Sequence, residues 1–105
     1  MERRSSPETG LVQLRAGDAL IDIVAVASEL GRMGGEGPGK EGRNMDHVCV
    51  LLESFQEQAI RDHLALHGVS GSELETRYGA EGKGPSIYIQ DPEGNTVELK
   101  GPPVE

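Results

Sequence analysis

A glycine-rich segment divides this chain and limits what each part can fold into. Six of the twelve residues from 31 to 42 are glycine, a content typical of a flexible connection rather than of a helix or a strand. With 105 residues in all, the chain can build only a modest core. The sequence therefore predicts two small units, which are residues 1–44 with the linker and residues 45–105.

The composition excludes several classes of protein. The formal net charge is -8 and the ten basic residues form no stripe, so a nucleic-acid backbone is not expected as a partner. No apolar run is long enough to span a membrane, and none follows the N-terminal arginines as in a signal peptide. The single cysteine, Cys49, excludes an intrachain disulfide. We therefore expect a cytoplasmic protein.

Strand patterns account for most of the first part. Residues 1–9 are polar and are expected to be irregular. Residues 10–26 predict a β-hairpin with strands at 11–15 and 19–26. The second of these strands is apolar almost throughout, with Asp22 as its one charge. This pattern predicts burial on both faces of the strand.

The second part predicts one helix among several strands. The predicted elements are a strand at 45–53, a helix at 54–68, a strand at about 73–78, and strands at 86–90 and 95–100. The segment DPEGN, which begins at Asp91, predicts a turn between the last two strands, with Pro92 and Gly94 at turn positions. The order is βαβββ, and the fold class is α+β.

Two familiar spacings are rejected as sites. Residues 34–40 have the spacing of a phosphate-binding loop, but Glu41 stands where Ser or Thr would hold Mg²⁺, and a strand follows instead of a helix. His63 and His67 lie four residues apart on the predicted helix, but Leu64 stands where a zinc protease has glutamate. We interpret the first motif as linker and the two histidines as ordinary side chains.

Three polar residues interrupt otherwise apolar strands, namely Asp22, His47 and Glu98. Each on its own is consistent with a solvent-facing or hydrogen-bonded side chain of no special function. Together, one imidazole and two carboxylates form a nitrogen and oxygen ligand set for a divalent transition metal. Because Glu98 lies between Val97 and Leu99, it points to the opposite face of its strand. A buried carboxylate on that face would need a cation to offset its burial.

The stretch MDHVCVLL, a helix, and then PSIYIQDPEGNTVELKG resemble the second half of proteins of the vicinal oxygen chelate superfamily. That superfamily includes glyoxalase I, extradiol dioxygenases and the bleomycin resistance proteins. The resemblance implies a complete βαβββ module at residues 45–101, preceded by a two-stranded remnant of a first module. It also implies a curved mixed sheet that forms a cup. The first strand of the first module has no counterpart in this chain.

The resemblance also implies roles for the three polar residues. His47 matches a metal ligand on the first strand of the module, and Glu98 matches a ligand on its last strand. Glu98 would also act as the catalytic base, or Asp22 would do so if it does not bind the metal. Asp22 matches the last-strand ligand of the preceding module, where the family more often has glutamate. The metal is Fe, Ni, Zn, Mn or Co, and the sequence does not choose among them.

Three possibilities remain open at this point. The first is a metal-dependent lyase, isomerase or dioxygenase that acts on a small molecule with two adjacent oxygens, with low activity because a ligand strand is missing. The second is a non-catalytic protein that binds a small molecule, such as a drug, as bleomycin resistance proteins do. The third is an inactive product of a truncated gene. We also expect a homodimer that exchanges the 10–26 hairpin, because the apolar strand at 19–26 would otherwise keep an unpaired edge.

Overall fold

A computed structural model of the protein describes residues 3–35, 37, 38, 42 and 44–104. The chain divides into two compact units, Met1–Asp46 and His47–Glu105. Each unit contains a β-sheet, and helices are few. The predicted α+β class is therefore confirmed.

The first unit is a three-stranded antiparallel sheet followed by a short helix. Its elements are β1 (Arg3–Ser6), β2 (Leu11–Ala16), β3 (Ala19–Val24) and α1 (Glu29–Met33). The strand order is β1-β2-β3. Strands β2 and β3 form the predicted hairpin, and Gly17 has a φ of 64° in its two-residue loop, a conformation that suits tight hairpin turns.

Two expectations for this unit were wrong. Residues 1–9 are not irregular throughout, because Arg3–Ser6 pairs with β2, so the sheet has three strands instead of the predicted two. Residues 31–42 are not linker throughout, because α1 extends into them; its N-cap Ser28 accepts a hydrogen bond from the backbone N–H of Gly31 at 3.0 Å. Residues 36 and 39–41 of that segment, including Glu41, lie outside the described residues.

The predicted burial of β3 on both faces was also wrong. Ile21 and Ile23 are 50% and 51% exposed, and the rest of the strand is exposed except for the half-buried Leu20. Burial on both faces requires other elements packed over the sheet, and an apolar composition alone does not supply them. Strand β3 is also an outer strand, which pairs only with β2 among the described strands.

The second unit has the predicted βαβββ order. Its elements are β4 (His47–Leu51), α2 (Glu57–Leu66), β5 (Glu75–Gly79), β6 (Gly82–Gln90) and β7 (Thr96–Lys100). The four strands form one open mixed sheet in the order β4-β7-β6-β5. The pair β4–β7 is parallel, and the other two pairs are antiparallel. The first and last strands of the module therefore lie side by side.

Local sequence patterns account for the connections in this unit. The helix is shorter than predicted and is followed by Gly68 with a φ of 72°, as at many helix ends. In the β6–β7 turn, the Asp91 carboxylate accepts hydrogen bonds from the backbone N–H groups of Glu93 and Asn95 at 2.9 and 2.8 Å. No helix in the described part of the chain has the length and apolar character needed to cross a bilayer.

Substituting Gly84 with alanine should destabilise this unit. A Cβ atom on Gly84 would lie 2.6 Å from the carbonyl oxygen of Pro102 and 2.7 Å from that of Gly101. Because backbone would have to shift, we expect a loss of about 1–3 kcal/mol in the free energy of unfolding, as for an overpacked site. Urea denaturation followed by circular dichroism measures this loss. Gly34→Ala is the matched control, since its Cβ would meet nothing closer than 3.4 Å; an equal loss in both variants would contradict the prediction.

Candidate metal-binding site

The sheet of the second unit has one face that is rich in polar side chains. Strand alternation and the pairing of β6 with β7 place Tyr88 beside Glu98 and Ser86 beside Lys100 on this face. The pairing of β4 with β7 sets Cys49 opposite Glu98, and His47 shares the face with Cys49. Ile87 and Ile89 point to the opposite face. The register thus gathers the polar residues of three strands, and we call this side of the sheet the polar face.

Glu98 is the buried centre of the polar face. Only 5% of its surface is exposed. The Ser86 hydroxyl donates a hydrogen bond of 2.6 Å to Oε2 of Glu98, and Nε2 of His47 lies 3.2 Å from Oε1. Both carboxylate oxygens therefore have a partner, which is what a buried carboxylate requires. The structure brings together two of the three residues singled out from the sequence.

The surroundings of Glu98 favour its ionised form. Burial raises the pKa of a carboxyl group, but hydrogen bonds from His47, Ser86 and Cys49 and the charge of His47 lower it. The hydrogen bonds and the charge prevail, so the pKa of Glu98 lies below its ordinary value. Glu98 is a carboxylate at neutral pH despite its burial.

Two more side chains extend the polar face beyond Glu98. The Arg77 guanidinium donates hydrogen bonds to the hydroxyl and the carbonyl oxygen of Ser86, at 3.1 and 3.3 Å. It also lies 4.5 Å from the centre of the Tyr88 ring, within the range of a cation–π contact. The Tyr88 ring in turn meets the His47 ring edge-on, with centroids 5.2 Å apart. These contacts hold the rings and the guanidinium in a row across the sheet.

Sequence reasoning missed Ser86, Arg77 and Tyr88. The DPEGN turn could have located two of them. In a hairpin, residues at matching distances before and after the turn pair with each other, and this pairing sets Tyr88 opposite Glu98 and Ser86 opposite Lys100. Arg77 had no such signal, since the strand that carries it was the least regular part of the pattern.

Asp22 lies in the first unit, on β3. Its Oδ1 accepts a hydrogen bond of 3.0 Å from Nε2 of Gln13, which faces it on β2. Gln13 is itself buried, with 8% of its surface exposed. Among the described residues, no group of three or more His, Cys, Asp and Glu side chains is arranged to hold a metal ion. His47 and Glu98 are thus the pair on which a metal proposal must rest.

Comparison with known proteins assigns no family. No protein-family model matches the chain, and no curated protein matches it. One similar solved structure is an integron cassette protein from the mobile metagenome of V. cholerae, with 25% identity and a TM-score of 0.47, over 96% of this chain and 75% of that one. A second, from the mobile metagenome of V. pseudocholerae, has 24% identity and a TM-score of 0.47, over 96% and 74% of the two chains.

Proposed function

We propose that the protein binds a divalent transition metal through His47 and Glu98 and uses it to hold a small molecule with two adjacent oxygen atoms. The observation that carries this proposal is the His47–Glu98 pair, in which a buried, ionised carboxylate lies beside an imidazole on the polar face. The vicinal oxygen chelate resemblance supports the same two residues. A cytoplasmic location belongs to the proposal as well.

The distance between the two donor atoms suits one metal ion. Nε2 of His47 and Oε1 of Glu98 are 3.2 Å apart. Two ligands at about 2.0–2.1 Å from one tetrahedral ion lie about 3.3 Å from each other. The donors would therefore need little movement to share a metal. Iron, nickel, zinc, manganese and cobalt all accept this pair of donors.

The neighbours of Glu98 fit the supporting role that surrounds a metal ligand. Metal binding requires a deprotonated carboxylate and a neutral imidazole, and the hydrogen bonds of Ser86 and Cys49 to Glu98 favour the carboxylate without needing a charge on His47. The Ser86 hydroxyl fixes Oε2, and Arg77 fixes Ser86 in turn. Hydrogen bonds of this kind orient metal ligands in proteins. The chain thus supplies two ligands and part of their support.

The proposed chemistry divides between the metal and Glu98. A bound divalent ion would act as a Lewis acid and stabilise negative charge on a substrate oxygen. Glu98 would accept the substrate proton, because its carboxylate is ionised on the same face. Within the superfamily that the sequence resembles, such a pair serves lyases, isomerases and dioxygenases.

Metal titration tests the proposal. After removal of metals with a chelator, the wild type should bind about one Zn²⁺ or Co²⁺ ion per chain in calorimetry. His47→Ala and Glu98→Ala should each weaken binding by about a hundredfold or more, since loss of one of few protein ligands removes much of the affinity. A hydroxamate, which offers two adjacent oxygens, should bind the metal-loaded protein more tightly than the metal-free protein.

The helix histidines provide the matched control. His63 and His67 have ring centroids 5.0 Å apart on α2 and could take up metal without any function. His63→Ala should leave the affinity unchanged. Metal binding that disappears in His63→Ala and persists in His47→Ala would overturn the assignment. Ligand binding that needs no metal would instead support the alternative of a non-catalytic small-molecule binding protein.

A further inference from the structure

The charged side chains of the polar face balance one another. The pairing of β5 with β6 puts Glu75 and Arg77 on this face. The pairing of β6 with β7 puts Glu98 and Lys100 there as well. The other strand residues on this face carry no fixed charge, so two carboxylates offset two cations. A divalent ion bound to Glu98 and a neutral His47 would therefore make the face positive.

The two cations of the polar face differ in what they can offer to a ligand. Lys100 is only 2% exposed, and its Nζ donates a hydrogen bond of 2.7 Å to the carbonyl oxygen of Gly82. It adds positive charge to the face, but a ligand does not reach it. The side chain of Arg77 is 26% exposed. Arg77 is thus the cation that a ligand on this face can contact.

Contacts within the sheet hold Arg77 in place and leave one edge of its guanidinium open. Nη1 donates hydrogen bonds to Ser86, and the guanidinium lies over the Tyr88 ring. Nε and Nη2 form the other edge, which makes no hydrogen bond among the described residues. Oε2 of Glu75 is 3.7 Å from Nη2, beyond hydrogen-bond length. Two parallel N–H groups of this kind bind the two oxygens of a carboxylate or a phosphate.

We propose that Arg77 binds an anionic group, a carboxylate or a phosphate, on the small molecule that the metal holds. This inference rests on the proposed function, and it narrows the ligand of that site to an anion. The positive charge of the metal-loaded face favours such a ligand. Because Ser86 and Tyr88 already fix the guanidinium, binding would cost little side-chain freedom.

The open edge of Arg77 lies near the metal pair. A single hydroxyl group, that of Ser86, connects the guanidinium with Oε2 of Glu98, through hydrogen bonds of 3.1 and 2.6 Å. The other oxygen of the same carboxylate faces His47. One small molecule can therefore place its two adjacent oxygens on the metal and its anionic group on Arg77.

A comparison of two hydroxamates tests the proposal. Acetohydroxamic acid is neutral, whereas the monohydroxamate of succinic acid offers the same two oxygens and also carries a carboxylate. On the Zn²⁺-loaded wild type, the carboxylate probe should bind about ten- to a hundredfold more tightly in calorimetry. A third probe with a phosphonate in place of the carboxylate identifies which of the two groups Arg77 prefers.

Substitutions at Arg77 separate ligand binding from a structural role. In Arg77→Gln, the advantage of the carboxylate probe should fall about tenfold or more, while the neutral probe binds as before. Arg77→Lys keeps the charge without the fork and should retain only part of the advantage. If both probes lost affinity equally in these variants, Arg77 would only support Glu98 and the proposal would be wrong.

Glu75→Gln tests the open edge without changing Arg77. This substitution removes the carboxylate near Nη2 and leaves the contacts between Arg77 and Ser86 in place. The advantage of the carboxylate probe should therefore increase, and this test remains valid even if Arg77→Gln fails to fold. A decrease would contradict the proposal.

Lys83→Gln is the matched control for charge. Lys83 is exposed and lies on β6, on the face opposite Ser86. Its substitution removes the same charge as Arg77→Gln, and the advantage of the carboxylate probe should stay unchanged. An equal loss in both variants would show a general effect of charge and would overturn the proposal.

A chelator distinguishes the failure of this inference from the failure of the proposed function. If the neutral probe needs the metal and the carboxylate gives no advantage, the proposed function stands and the role of Arg77 is wrong. If no metal binds, the proposed function is wrong. Chemical shifts measured with the chelator then decide the role of Arg77. The carboxylate probe should bind the wild type more tightly than Arg77→Gln, in roughly the millimolar range, and equal binding would exclude this role.

Discussion

Replacing Ile87 with alanine is expected to lower the free energy of unfolding by about 2–5 kcal/mol. Ile87 is the one hydrophobic side chain among the described residues that is fully buried. It lies on the face opposite Glu98, where a Cβ atom added to Gly71 would come within 2.7 Å of its Cγ2. Removing three carbon atoms at such a site leaves a cavity that rigid backbone cannot fill.

The loss is large against the total stability that a chain of this length can have. At about 0.05–0.15 kcal/mol per residue, a domain of 105 residues has about 5–15 kcal/mol. Ile87→Ala should therefore unfold at a markedly lower urea concentration than the wild type. If the wild type has a stability of about 5 kcal/mol, the variant should be partly unfolded even without urea. Urea titration monitored by circular dichroism measures the change at fixed protein concentration, which matters if the protein is a dimer.

Ile89→Ala is the matched control for this prediction. Ile89 is on the same strand and the same face, but it is only half-buried. Its truncation removes the same atoms from a place that already contacts water, so the loss should be clearly smaller. Equal losses for the two variants would contradict the central role of Ile87.

Local patterns were sufficient to predict the elements of the second unit. In the DPEGN turn, the Asp91 carboxylate accepts hydrogen bonds from the backbone of Glu93 and Asn95, which are near neighbours in the sequence. The alternation around Glu98 placed this residue opposite Val97 and Leu99 in the same way. Features decided within a few residues can be predicted without knowledge of the rest of the fold.

The first unit shows where such patterns fail. Arg3–Ser6 forms a strand although its side chains are all polar, because it pairs with β2 through backbone groups that every residue has. The apolar run of β3 predicted burial, but burial depends on a neighbour that the sequence of one chain does not specify.

Some residues of the candidate site could be predicted from local sequence, and others could not. His47 and Glu98 interrupt apolar strands, so the sequence alone singled them out. The contacts of Ser86 and Arg77 depend on the register of three strands, which was not specified without the structure. Register is set by turns and by neighbouring strands together, and only the β6–β7 turn was clear in the sequence.

Replacing Glu98 with glutamine should destabilise the protein at neutral pH and change how its stability depends on acid. Glutamine keeps the shape but loses the charge that Ser86 and His47 contact at 2.6 and 3.2 Å. Hydrogen bonds to a charged group contribute about 1.5–3 kcal/mol each. We expect a loss of about 2–4 kcal/mol at pH 7, since glutamine retains one acceptor. Urea titration with a chelator present measures this loss without any contribution from metal.

The direction of the pH effect follows from the lowered pKa of Glu98. Its pKa in the folded protein lies below the ordinary value of 4.5, so the unfolded chain binds this proton more readily. The carboxylate therefore stabilises the fold fully above about pH 5, and that stability is lost as the pH falls through the folded-state pKa. The difference in unfolding free energy between wild type and Glu98→Gln should shrink over the same range.

Glu93→Gln separates this effect from the general response of carboxylates to acid. Glu93 lies exposed in the β6–β7 turn, and its substitution should leave both the stability at pH 7 and its acid dependence nearly unchanged. The lowered pKa of Asp91 affects wild type and both variants alike, so it cancels from the comparison. If the wild type and Glu98→Gln lost stability in parallel from pH 7 to pH 3, Glu98 would not be held as a carboxylate in the folded protein. The metal proposal would then lose its principal ligand, since a neutral carboxyl group binds transition metals poorly.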